Sequence, residues 1–186
     1  MRLTEKVHHI LANYLQEGDL TIDATAGNGY DTLFLAEQVG PSGKVIAIDI
    51  QDCAIRSVQE KLDSADLLHR VRLVTEDHVV ALNKLIASNR GKVAAITFNL
   101  GYLPGSDRSI KTQAESTEAA LISSFQLLSV GGYLCVTAYR GHSEGNTEAE
   151  TVRAFMCSSQ TEPHTVDCYE PESNNSPPIL WVLRKN

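Results

Sequence analysis

Residues Leu20 to Leu35, LTIDATAGNGYDTLFL, constrain the fold more than any other stretch of the chain. Leu20 and Ile22 read as a short apolar strand ending in Asp23, followed by a turn of small residues, Ala24-Thr25-Ala26-Gly27-Asn28-Gly29. A helix over Asn28 to Val39 then turns Leu33, Phe34 and Leu35 toward a core. A strand that delivers two glycines to a helix start lets the backbone approach a ligand closely, with free N–H groups expected there. Such a turn suits a nucleotide. The spacing Asp23-x-Thr25-x-Gly27-x-Gly29 differs from the dinucleotide fingerprint G-x-G-x-x-G, because the acid precedes the glycines and no third glycine follows at the right offset.

The next apolar run, Lys44-Val45-Ile46-Ala47-Ile48-Asp49, reads as a strand buried on both faces. Its terminal acid lies 20 residues past Gly29, where a carboxylate can accept hydrogen bonds from both hydroxyls of a ribose. Gln51 follows, placed to contact the same nucleoside. After a helix over Asp52 to Leu62, Val71 to Val74 form a third strand ending at Thr75-Glu76-Asp77-His78, and Asp77 and His78 are candidates to reach an adenine amino group. Asp77 serves equally well as the cap of a helix over Val79 to Ala87. Val93 to Phe98 make the fourth strand, which runs into Asn99-Leu-Gly-Tyr-Leu-Pro-Gly105.

Alternating strands and helices, with glycines and acids at strand carboxyl ends, predict a doubly wound α/β domain with its ligands in the crevice above those ends. The remaining elements fit. Leu3 to Leu15 has helical apolar spacing, so residues 1–17 are expected to pack a helix on the sheet, and His8 and His9 read as solvated or core-edge side chains. Gln113 to Leu128 form a long helix, Gly131-Gly132 a turn, Tyr133 to Tyr139 a fifth strand and Glu148 to Met156 a helix. Thr165 to Tyr169 and Ile179 to Leu183 form a closing antiparallel hairpin joined by the polar segment Pro171 to Pro178.

A chain of 186 residues, 42% of them hydrophobic, suits one domain with a substantial core. Its net charge of −7 argues against coating nucleic acid by bulk electrostatics, although a local basic patch is compatible with it. Cys53, Cys135, Cys157 and Cys168 are far apart, which indicates neither a zinc knuckle nor a disulfide framework but buried thiols in a reducing compartment. No ligand-spaced cluster predicts a metal. Charged residues interrupt the first 20 positions and no apolar run approaches a membrane span, so the expected location is cytoplasmic.

The glycine turn resembles motif I of the class I S-adenosylmethionine (SAM) methyltransferases, with Thr25 where a first glycine often stands. Four segments together, Asp23 to Ala36, Asp49-Ile-Gln51, Asn99 to Gly105 and Tyr139-Arg-Gly-His142, resemble the putative rRNA methylase (YtqB-like) family, whose characterised members are MnmM-type tRNA methyltransferases. The similarity runs in order through nearly the whole chain. It implies a Rossmann-like class I fold with a seven-stranded, mostly parallel sheet, SAM as cofactor and tRNA, at its anticodon region, as partner. The implied reaction is N-methylation of the 5-aminomethyl group on wobble 2-thiouridine, giving the 5-methylaminomethyl product. Cofactor-binding positions would be Asp23, Thr25, Gly27, Asn28, Gly29, Asp31, Asp49, Gln51, Asp77, His78 and Asn99. Catalytic positions would be Asn99, Tyr102, Asp107, Tyr139 and His142.

These residue types make sense of that chemistry. An aliphatic ammonium has no free lone pair for a sulfonium methyl, so the site must bind the neutral amine in line with it, which requires acceptors. Asn99 resembles the lead residue of the Asn-Pro-Pro-Tyr motif of amino-methylating enzymes, so its side chain and the Leu100 carbonyl are the expected acceptors. Tyr102 would stack on the uracil ring. Asp107, Tyr139 and His142 would order the substrate or accept a proton. Arg108, Lys111, Arg140 and Arg153 would form either a patch for the tRNA backbone or a solvated face. The alternatives are rRNA or small-molecule methylation on the same fold, or a non-catalytic SAM- or RNA-binding module. A homodimer is left open.

Overall fold

The apolar runs become the strands of one sheet that is buried on both faces. In the computed structural model, which describes residues 2–101, 114–140, 143–158, 164–171 and 177–186, the strands are β1 (Leu20–Asp23), β2 (Lys44–Asp49), β3 (Val71–Thr75), β4 (Val93–Leu100), β5 (Leu128–Ala138), β6 (His164–Tyr169) and β7 (Ile179–Lys185). Their order is β3-β2-β1-β4-β5-β7-β6. Strands β1 to β5 pair in parallel, and β7 runs antiparallel to both of its neighbours. Alternation along each strand sends Val45, Ala47, Leu180 and Val182 to one face and Ile46, Ile48, Trp181 and Leu183 to the other.

Helices cover both faces, as a parallel sheet requires. On the first face lie α1 (Leu3–Ala12), α2 (Tyr30–Gln38) and α3 (Asp52–Ser64), anchored by Val7, Leu11, Leu35, Val58 and Leu62. On the second lie α4 (His78–Asn89), α5 (Ala114–Leu127) and α6 (Ser143–Met156), anchored by Leu82, Leu85, Leu121, Val152 and Phe155. Each such side chain contributes roughly 1.5–3 kcal/mol by leaving water. Among the described residues no helix is long and apolar enough to cross a membrane. The chain proceeds outward from β1 in one direction to β3 and then crosses back to β4 on its other side. That reversal opens a crevice above the carboxyl ends of β1 and β4.

Local chemistry moves several expected boundaries. Helix α1 stops at Ala12 rather than Leu15, because the Asn13 amide donates to the His9 carbonyl (2.6 Å) and draws the chain out of the helix. Leu15 stays buried regardless. The α2 helix starts at Tyr30, since Gly29 adopts φ +77° and acts as its N-cap. Helix α6 begins at Ser143, five residues before the expected start. Gly131-Gly132 do not end one element and begin another; they lie inside β5, where the register against β4 slips between Val93 and Ala95. Residue 132 must be glycine there, because a Cβ would stand 2.9 Å from the Ser129 carbonyl oxygen and 3.0 Å from that of Val93. It is a bulge rather than a turn.

Candidate active site

Strand β1 ends on Asp23, which is fully buried. The Thr32 hydroxyl donates to one of its oxygens at 2.6 Å, and the Thr25 N–H and Thr97 hydroxyl reach the other at 3.4 and 3.5 Å. Asp23 therefore clamps the turn to α2 and β4 from beneath. Burial, reinforced by the Asp31 carboxylate and opposed by the Thr32 and Thr25 donors, pushes its pKa from 3.8 up to about 7. A carboxyl whose folded pKa is raised stabilises the fold fully below its unfolded pKa, and that stabilisation is lost as pH rises through the folded value. Wild type should lose about 2 kcal/mol relative to Asp23→Asn between pH 4 and 7, a discounted share of the full shift. Urea denaturation of both proteins across that range measures the difference, and parallel stability curves would contradict the raised pKa.

The turn itself corrects one expectation. Its N–H groups are mostly committed inside the protein: Gly27 donates to an Asp49 carboxylate oxygen (2.9 Å), Gly29 to the Ala26 carbonyl (2.8 Å) and Ala26 to the Ile48 carbonyl (2.9 Å). The small residues thus shape a shelf more than they supply free donors. Gly29 is needed for packing as well as conformation, because a Cβ there would sit 3.1 Å from the Val58 Cα of α3. Asn28 is exposed at the crest. Asp49 also accepts from the Gln51 N–H at 2.9 Å, so both its oxygens are aimed by backbone while lone pairs remain for two ribose hydroxyls.

Beside it stands Ile50, an apolar side chain 56% exposed at the end of the strand, which sequence reasoning passed over. The signal was present as an isoleucine between an acid and Gln51. Asp77 caps α4, accepting from the Val79 and Val80 N–H groups at 2.8 and 3.3 Å. His78 is buried edge-on to Phe98, and its Nε2 has no hydrogen-bond partner among the described residues. Burial lowers its pKa against the charges of Asp77 and Asp49, so the ring is held neutral. A carboxylate directed by two backbone N–H groups, beside an exposed aliphatic side chain, gives a hydroxyl-binding acceptor and an apolar wall that fit a nucleoside.

Across the crevice, Asn99 is held at two points. Its N–H donates to the Thr25 hydroxyl (2.7 Å), and its side-chain Nδ2 donates to Asp31 (2.6 Å). Thr25 therefore ties the turn to β4, a task that the glycine often found at this position could not perform. The other Asp31 oxygen lies 2.6 Å from Nε2 of His8, whose ring stacks on Phe34 at 3.9 Å and 7°. His8 is thus neither merely solvated nor a core-edge filler; it joins the site through a residue 23 positions away, a relation that linear spacing does not reveal. The Leu100 carbonyl already accepts a long bond from the Tyr139 N–H (3.3 Å), leaving one lone pair for a ligand. Tyr139 packs near Gly101 and is 45% exposed, and burial together with the Asp31 charge raises its pKa. At neutral pH it can donate a hydrogen bond but is a poor base.

Tyr102, Asp107, Arg108, Lys111 and His142 lie outside the described residues. Of the four cations expected to form a patch, Arg140 and Arg153 are described and engaged: Arg140 donates to the Pro177 carbonyl (2.9 Å) and pairs with Glu170, and Arg153 pairs with Glu150 on the exposed face of α6.

Strand order with one antiparallel penultimate strand, a glycine turn after β1 and an acid ending β2 together define the class I SAM-dependent methyltransferase fold. The chain belongs to the family described as "Putative rRNA methylase", whose model matches residues 45–184. A crystal structure of a putative rRNA-methylase from Clostridium thermocellum superposes with a TM-score of 0.91 at 37% identity, covering 98% of this chain and 97% of that one. A putative methyltransferase from Streptococcus mutans, solved in complex with SAH, gives 0.87 at 33% identity over 100% and 99%. The chloroplastic tRNA (mnm(5)s(2)U34)-methyltransferase of Arabidopsis thaliana is 38% identical over 162 residues, 83% of this chain. The chain spans 58% of that relative's length.

Proposed function

We propose that this protein is a SAM-dependent methyltransferase that acts on tRNA, methylating the 5-aminomethyl nitrogen of 2-thiouridine at the wobble position. The observation that carries the reading is Asn99, an uncharged acceptor fixed at the end of β4 and tied through Thr25 to the turn that shapes the cofactor shelf. The Arabidopsis relative's name and the SAH bound in the Streptococcus mutans structure point to the same substrate and cofactor. SAM supplies an electrophilic methyl group whose transfer breaks the carbon–sulfur bond, with the electron pair leaving on sulfur. Asp49, directed by the Gly27 and Gln51 N–H groups, holds the ribose. Ile50 and His78 border the adenine. Asn99 Oδ1 and the Leu100 carbonyl accept from the N–H groups of the neutral amine and aim its lone pair at the methyl carbon. The protein carries out this work in the cytoplasm, on the anticodon region of its tRNA.

Mass spectrometry of tRNA nucleosides from cells lacking the protein tests this reading. The 5-aminomethyl-2-thiouridine precursor should accumulate at the expense of its methylated product, and recombinant protein with SAM should restore the product in vitro. Unaltered levels of the methylated nucleoside in those cells would remove the proposal.

A further inference from the structure

We propose that Asp31 is a positioning residue that determines which end of the Asn99 amide faces the substrate. This inference rests on the amine-holding role of Asn99 proposed above and adds the device that makes it work. An asparagine amide presents an acceptor at one end and a donor at the other, with nearly the same shape, so a free Asn99 could turn either end into the crevice. Only the oxygen can accept from the N–H groups of a neutral amine. The Asp31 carboxylate offers acceptors alone, and at 2.6 Å it must face the Asn99 NH2. A flipped amide would set two lone-pair-bearing oxygens against each other at that distance. Oδ1 is thereby turned to the other side, where no hydrogen bond from the described residues engages it.

The geometry gives Asp31 little freedom to do otherwise. It is 8% exposed and stands in the first turn of α2. Its second oxygen is held 2.6 Å from His8 Nε2, and the His8 ring is fixed by stacking on Phe34. The Asn99 backbone is fixed independently by the Thr25 hydroxyl. With the backbone held and the NH2 end bound, the direction of the oxygen is determined. His8, Asp31 and Asn99 thus form a chain that runs from α1 through α2 to the end of β4, and only its last member touches the substrate.

Asp31→Asn tests this directly, because an amide at position 31 can offer its own NH2 to Asn99 Oδ1 and so permits the flipped orientation. At saturating SAM and tRNA the single-turnover rate should fall roughly tenfold to a hundredfold, with SAM affinity by calorimetry within about twofold of wild type. In an Asn99→Ala background the same substitution should cost little more, since nothing is left to orient. A wild-type rate for Asp31→Asn, a loss confined to SAM affinity, or losses that multiply in the double variant would each overturn the inference. If Asn99→Ala is itself fully active, the amine-holding reading fails and this inference with it. A slow Asn99→Ala beside a fast Asp31→Asn overturns the positioning role alone. Should Asp31→Asn not fold, isotope-labelled wild-type protein decides by NMR. A scalar coupling across the hydrogen bond between Asn99 Nδ2 and the Asp31 carboxylate carbon is expected, and its absence with amide protons exchanging as in an exposed asparagine overturns the proposal.

Discussion

Asn99→Ala should slow methyl transfer to tRNA bearing 5-aminomethyl-2-thiouridine by about 10²–10³-fold while leaving SAM affinity nearly unchanged. Loss of one positioned acceptor costs about 3–4 kcal/mol in the barrier when the contact matters chiefly at the reacting geometry. On the proposed reading the nucleoside is held by Asp49, Ile50 and His78 across the crevice, so its contacts should survive the substitution. Alanine also leaves an Asp31 oxygen without its 2.6 Å partner, which should lower folding stability by about 1–3 kcal/mol without entering a rate measured on folded, saturated enzyme. The rate should rise with pH in wild type and variant alike, because the substrate ammonium must lose its proton and that titration does not belong to Asn99. Single-turnover methylation across pH measures both effects. A variant close to wild type would refute the amine-holding role, whereas matched losses in rate and SAM affinity would place Asn99 in the cofactor site.

Asp49→Ala should weaken SAM binding by about 100-fold, toward the upper end of what two lost ribose hydrogen bonds cost. The reason is that Asp49 does two things at once. Its oxygens accept from the Gly27 and Gln51 N–H groups, so removing them frees the glycine turn from β2 and leaves two donors to find water as the ribose loses its acceptors. Asp49→Asn keeps one acceptor and turns a donor toward one of those N–H groups, and it should fall between alanine and wild type. Titration calorimetry with SAM ranks the three proteins, and a thermal melt without ligand reports the loosened turn. Equal SAM affinity in all three would show that the ribose is held elsewhere.

The scaffold was legible because its signals are local. Alternating or continuous apolar runs mark strands, helical spacing marks the covering helices, and an acid or glycine turn at a strand end is visible in a short window. The seven-stranded, mostly parallel sheet and its antiparallel closing hairpin followed from those elements together with the family resemblance, and β1, β2 and Asp49 lie where they were expected, whereas the strand order came from the structure. Boundaries shifted where one side chain or one close contact decided them, as at Asn13 and Gly132.

What the linear pattern could not reveal is how polar groups are shared. The N–H groups of the glycine turn looked available, yet β2 and the turn itself take them up, because Asp49 and Ile48 arrive only when the strands pair. Thr25 read as a departure from a glycine pattern and became the bond that holds Asn99. His8, Asp31 and Asn99 are dispersed among a helix expected merely to cover the sheet, the first turn of another helix and a strand end. Composition and period determined where the backbone goes, since apolar burial has no direction and tolerates many arrangements of polar atoms. Hydrogen bonds have direction, and a carboxylate reaches an amide only within a fraction of an ångström. Only the packing of α1 on α2 and of α2 on β1 and β2 could therefore bring His8 and Asp31 to Asn99 at the end of β4 and set which end of its amide is bound.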